Sequence, residues 1–308
     1  MAMFRFALPL SLVLSLSATA HAAIAPVDID TAAHLYQAAA IREQVRAALG
    51  SMPAHIRKLF QGNTSTELSD SQLDAVNQAA VRAFRIDVFE APALNAFAAH
   101  LDADTVKKSE VFLATDAGKR MVAADLSLAS LSDGDADKVM NGDIAASSTP
   151  QRAVLFEKLE RAERSSESTV QILLTMGTAV ALGTAVGSGM DPGPVEERAR
   201  KSGESSRQSM EENMREPMRR YMAYGYRDLS DADLKHVLSF LQSSAGKQYI
   251  SAYLASLGAG FYAMGRRCGE QLGESLRELA LAQLATENLQ REPSPPPPSP
   301  APPVKRRQ

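Results

Sequence analysis

The stretch 229–256, LSDADLKHVLSFLQSSAGKQYISAYLAS, reads as two helices joined at a tight corner. Ser230 is a good N-cap, Asp233 sits at the third helical position, and Leu229 is placed to staple onto Leu234. Leu234, Val237, Leu238 and Leu241 recur at helical spacing and form one apolar face. Ser243-Ser244 then break and recap the chain, and a second helix begins near Ala245. Gly246 in its first turn removes a side chain where two helices come close. Tyr249, Ile250, Tyr253, Leu254, Leu257 and Phe261 supply the apolar stripe of that second helix.

The same pattern stands 128 residues earlier, in 101–128, LDADTVKKSEVFLATDAGKRMVAADLSL. Nine of the 28 paired positions are identical, with no gap, where chance gives roughly two. They include Lys107/Lys235, Phe112/Phe240, Leu113/Leu241, Gly118/Gly246 and Lys119/Lys247. Asp102 takes the cap in this copy, and Thr115-Asp116 forms the corner. A fainter echo pairs Leu35-Tyr36 with Leu155-Phe156, at an offset of 120. The pattern predicts an all-α helical bundle built from two duplicated helix-hairpin units. Phe112, Leu113, Phe240, Leu241, Ile250 and Leu254 are its expected core. The structural motif comprises Phe112, Gly118, Lys119, Phe240, Ser243, Gly246 and Lys247.

Leu229-Ser230-Asp231-Ala232-Asp233-Leu234, Phe240-Leu241-Gln242-Ser243 and Ala245-Gly246-Lys247 resemble the core hairpin of the bacterial DUF2059 family. The likeness is best over about 221–265 in the C-terminal half. A weaker second copy in the N-terminal half lacks the serine pair at the corner. The resemblance implies a secreted, mostly α-helical protein of unknown activity, and it brings no catalytic residue with it.

Around the hairpins the chain divides readily. Its 308 residues suit about two domains of ordinary size, and 45% hydrophobic residues allow a real core. Arg5, the apolar run Phe6–Leu16 and the small-x-small site Ala20-His21-Ala22 predict a signal peptide over 1–22. Its removal takes the net charge from -3 to -4. A helical unit is expected over 23–129, a linker over 130–150 and a second helical unit over 151–291. The tail 292–308 holds eight of the sixteen prolines and ends in Lys305-Arg306-Arg307, which predicts disorder. A near-neutral charge argues against a nucleic-acid partner, and one cysteine excludes a disulfide within the chain.

Several residues invite chemistry and have a plainer reading beside it. Lys119 and Lys247 follow a glycine at a helix start, where an anion can sit, but the strand and long glycine loop of a nucleotide site are missing. His34, His55, His100 and His236 make no metal-ligand pair in sequence. Arg266-Arg267 before Cys268 would favour a thiolate if they reached it, and otherwise Cys268 is a small buried residue. Gly265, Gly269 and Gly273 strip one helix face of side chains, so another helix can approach it. The uncharged run Ser168–Met190 is long enough to span a membrane, yet its polar content and acidic flanks favour a core helix. Lys201–Arg220 reads as an exposed, ion-paired helix that Pro217 should kink or restart. Tyr221, Tyr224 and Tyr226 form either a binding surface or half-wet core tyrosines.

The expected function is a periplasmic, non-enzymatic binding or interaction module. Its partner would be an unknown protein or small ligand of the envelope, and no cofactor is implied. Two alternatives stand beside it. One is an envelope enzyme whose site forms between the two units, and the other is a membrane-associated protein anchored through 168–190.

Overall fold

Eight residues start helices in the same way, each accepting a hydrogen bond from the amide three positions on. They are Asp28, Ser69, Asp102, Thr115, Ser132, Thr149, Ser230 and Ser243. Each satisfies an N–H that the helix itself leaves unpaired. The computed structural model describes residues 26–63, 68–144 and 148–290. The segment 1–22, read from the sequence as a signal peptide, and the tail 292–308 lie outside them, as does the side chain of His55.

The described residues contain thirteen helices and no strand, so the all-α reading holds. The first half carries α1 (Ile29–Ala38), α2 (Ile41–Leu49), α3 (Met52–Asn63), α4 (Asp70–Ala83), α5 (Ile86–Ala99), α6 (Ala103–Ala114) and α7 (Asp116–Ala129). After α8 (Asp133–Asn141) come α9 (Pro150–Glu163), α10 (Ser165–Gly187), α11 (Gly193–Gly225), α12 (Asp231–Gln242) and α13 (Ser244–Gln290).

Both sequence hairpins are helix hairpins, α6–α7 and α12–α13. Thr115 ends α6 and caps α7 with one side chain, and Ser243 ends α12 and caps the start of α13. A Cβ added at Gly118 would collide with the carbonyl of Phe112 and the Cα of Leu113. At Gly246 it would collide with the carbonyl of Phe240 and the Cα of Leu241. The glycine is therefore required by a close approach of backbone to backbone. Phe112, Leu113, Leu241 and Ile250 are buried, and Phe240 and Leu254 are half-buried against the same core.

Residues from both halves join one continuous core, from Leu35, Phe89 and Phe97 through to Leu159, Leu234 and Leu272. The segment read as a linker carries α8, capped by Ser132 and ended by Gly142 in the left-handed region at φ 87. Val139 buries fully and α8 docks on α11. Residues 145–147 of that segment lie outside the described part.

The uncharged helix α10 packs chiefly on α13 and secondly on α11. Cβ atoms at Gly183 and Gly187 would strike the backbone of Arg266 and Glu270 on α13. Those at Gly265, Gly269 and Gly273 would strike the backbone of Met176, Val180 and Thr184. The two helices run parallel with glycines on both sides of the seam, as the spacing of the α13 glycines implies. Of the kink or restart expected at Pro217, the restart does not occur: α11 runs through it. The missing hydrogen bond and ring clash disfavour such a position. The turn that follows it is firmly held, however. Met218 and Met222 accept from Thr169 and Ser165 of α10, Tyr221 donates to Leu128, and Arg220 donates to Met140.

Replacing Gly246 with leucine is expected to cost about 1–3 kcal/mol, because α12 and α13 must separate at the corner. Urea denaturation of the variant beside wild type measures this, and coincident midpoints would rule out the close corner.

Candidate functional site

The two hairpins meet crosswise. Phe112 and Phe240, at matching positions of the two copies, stack with ring centroids 4.1 Å apart and planes 5° from parallel. The His236 ring stands edge-on to Phe112 at 5.8 Å. Arg120 on α7 donates to Asp233 on α12 at 2.6 Å, and Thr105 on α6 donates to Gln248 on α13 at 2.8 Å. Thr105 and Asp233 are aligned positions, as are Arg120 and Gln248. Each copy thus offers the same two positions to the other, which is the pattern of a two-fold interface. The Arg120 guanidinium, with help from Ser230, holds the Asp233 carboxyl down at about 2.

The other motif residues are structural. Lys119 and Lys247 are exposed. The amides of Gly118 and Gly246 already donate to Thr115 Oγ1 and Ser243 Oγ, at 3.1 and 3.0 Å, so the caps occupy the N–H groups an anion would need. His34, His100 and His236 are exposed, and no group of three or more metal-ligating side chains occurs among the described residues. Cys268 is buried, and burial pushes its thiol up to about 12. Arg266 is engaged by Glu270 at 2.8 Å. The thiol is therefore not activated, and Cys268 serves as a small core residue.

The tyrosine run separates into three roles. Tyr224 lies under the Arg227 guanidinium at 4.3 Å. Tyr221 donates to the Leu128 carbonyl at 2.9 Å. Tyr226, the C-cap of α11, is buried and brings its hydroxyl to two carboxyls. Asp125 Oδ1 is at 2.8 Å and Glu163 Oε1 at 3.3 Å.

This Asp125–Tyr226–Glu163 cluster joins three elements. Asp125 comes from α7, on the turn after Met121. Glu163 is the last residue of α9, where Arg164 adopts the left-handed conformation at φ 57 and redirects the chain into α10. Tyr226 is held by Arg152 of α9, which donates to the carbonyls of Tyr226 and Leu229 and pairs with Asp231. Asp125 and Glu163 are half-buried as residues, but their carboxyl groups lie deep among protein atoms. Burial pushes Asp125 up to about 7, with the Tyr226 hydrogen bond opposing. Burial and then the Asp125 charge push Glu163 up to about 8, with the Ser165 and Tyr226 hydrogen bonds opposing. Glu160, 5% exposed, lies one turn back and accepts from the Ser166 amide at 3.4 Å.

Sequence reasoning singled out Tyr226 but neither carboxyl. The repeat did hold a signal: Asp125 aligns with Tyr253, so an acid occupies a position that the other copy gives to an inward aromatic. Glu163 had none, because its partners come from distant parts of the chain. Two surface hollows lie elsewhere. One of about 400 Å³ sits between α9 and α11 beside Val154, Phe156 and Arg219. Another, of about 620 Å³, lies on the start of α11 beside Glu197 and Lys201. Neither reaches the carboxyl pair.

No family model, no curated protein and no solved structure matches the chain.

Tyr226→Phe removes the hydroxyl that bridges the two carboxyls. Loss of a buried donor of this kind is expected to cost about 1–3 kcal/mol. Denaturation at pH 6.5 measures it, and unchanged stability would mean that the bridge contributes nothing.

Proposed function

We propose that the protein is a non-enzymatic helical interaction module of the bacterial cell envelope, exported by the segment 1–22 and built by duplication of one helical unit. The observation that carries the binding reading is the distribution of exposed apolar side chains. Of the ten large ones among the described residues, six lie on α10, the turn after it and α13: Leu173, Val186, Met190, Tyr262, Leu281 and Leu284. A concentration of this kind marks interaction surfaces more often than solvent-facing helices. The glycine-lined seam makes α10 and α13 a stiff pair that holds those side chains in fixed places.

The crosswise hairpin contacts support the duplication. So does the packing of the remaining helices: α1 on α2, α5 and α6 parallels α9 on α10, α11 and α12. In that comparison α3 and α4 are an insertion in the first unit, and α8 is the connector. The likeness to the DUF2059 hairpin rests on the hairpin residues alone.

One observation favours a second reading, an envelope enzyme with its site between the units: Asp125 and Glu163 come from different halves and have raised proton affinity. Against it, the neighbouring hollows do not open onto them. The third reading, anchorage through 168–190, draws on the length and hydropathy of α10. Its packing along α13 and α11 favours a helix buried within the protein.

Two measurements divide these readings. Envelope fractionation with a salt wash is expected to return the mature chain in the soluble periplasm, and retention in washed membranes would favour anchorage. Photo-crosslinking in cells from Met190 and Tyr262 is expected to give one discrete adduct that is absent from position Val111, which is 65% exposed on α6. Turnover of an ester or cell-wall substrate by the purified protein, lost in Asp125→Asn or Glu163→Gln, would replace the module reading with the enzyme.

A further inference from the structure

We propose that Asp125, Glu163 and Tyr226 form a proton-operated latch that holds the N-terminal helices to the C-terminal ones when at least one carboxyl keeps its proton, and loosens when both ionise. The geometry is the starting point. One phenolic hydroxyl has one proton to donate, and two carboxyl oxygens lie within reach of it. A second proton, on either carboxyl, removes one of the two charges and lets all three groups share the enclosed space. Without it, two carboxylates face each other with only the hydroxyls of Tyr226 and Ser165 to donate to them, among packed protein atoms where like charges repel.

No cation relieves the pair. Neither carboxyl makes an ion pair with a lysine, arginine or histidine among the described residues. The charged groups on the packed elements are committed elsewhere or add to the acidity. On α9, Arg152 is taken by two carbonyls and Asp231, Arg161 by Glu157, and Glu160 is a further buried acid. Arg164 and Glu167 pair with each other at the start of α10. On α2, Arg42 is taken by Glu90, while Glu43 and Arg46 are exposed. Arg120 of α7 is taken by Asp233 of α12, and Lys108 of α6 by Asp104. From α11 comes Tyr221, and from α13 come Tyr249 and Tyr253, all three raised above their ordinary value by burial and by the Asp125 charge. These phenols stay neutral across the range in which the carboxyls titrate.

The direction of the pH effect follows. In the unfolded chain both carboxyls release their protons near pH 4. In the folded chain Asp125 does so at about 7 and Glu163 at about 8. The folded state therefore holds protons that the unfolded state has lost. The stabilisation is complete below about pH 4 and is lost as pH rises through the folded values near 7 and 8. The span falls within the range an envelope protein meets when the medium changes. The latch works whether or not the module has bound a partner.

Thermal melts of the mature chain from pH 5 to 9, beside the Asp125→Asn/Glu163→Gln double variant, test this. The wild-type midpoint is expected to fall by several degrees between pH 6 and 8.5. The neutral variant is expected to lose that slope and to melt above wild type at pH 8.5. Parallel profiles would overturn the proposal. Should the variant fail to fold, carboxyl ¹³C shifts of the wild-type chain decide. Two carboxyls titrating above pH 6 support the latch, and none above pH 5.5 removes it. Spin labels at Ser127→Cys on α7 and Arg161→Cys on α9, both exposed, read the movement, with the buried Cys268 left unlabelled. Their distance distribution is expected to be narrow at pH 6 and broad or longer at pH 8.5. An unchanged distribution would leave a titrating pair with no latch.

Discussion

The face-to-face stack of Phe112 on Phe240 is the contact that joins the two hairpins. The contact is possible only because each hairpin closes at a corner where a glycine lets one helix touch the backbone of the other. Around the stack the two hairpins exchange equivalent contacts, Arg120 with Asp233 and Thr105 with Gln248. One pair is ionic and the other neutral, so aligned positions of the two hairpins meet with different chemistry. The arrangement buries the most apolar faces of both halves against each other and leaves one core.

A second constraint acts at the other end. The helices α10 and α13 approach so closely that five glycines face the opposing backbone. Such a seam brings backbone close to backbone, so dispersion contacts between the two helices contribute much of its stability. It explains how a helix without a single charge between Ser168 and Gly187 packs on a neighbour along one face, with Leu173 and Val186 left exposed on another. The pair and the turn after α10 carry six of the ten exposed large apolar side chains among the described residues, and that links the packing to the proposed binding role. Cys268 sits within the same helix, and its burial there keeps the thiol protonated.

The acid pair, with the buried Glu160 one turn away, brings ionisable groups into the packed interior. Tyr226 reaches it because α11 passes through Pro217 unbroken and because Arg152 fixes the turn that follows. A cluster of buried carboxyls without a cation has a cost that a stack of aromatics does not. Such costs persist in folded proteins chiefly where they serve a purpose.

The sequence by itself determined the local architecture. Caps at Ser230, Asp102, Thr115 and Ser243, apolar stripes at helical spacing, and the glycine at each corner are all encoded within a few residues of where they act. Short-range hydrogen bonding and sterics decide them, and the repeat made the two hairpins visible before any coordinates. The α13 glycines also announced a close helix contact, though not its partner. Only the tertiary structure decided that Phe112 meets Phe240, that α10 is the helix against those glycines, and that Asp125 and Glu163 meet at one hydroxyl. Those pairings join residues far apart in the chain, and no local pattern specifies which surfaces meet. Pro217 shows the same limit from the other side: its local preference is to break a helix, and the anchoring of the residues that follow it outweighs that preference.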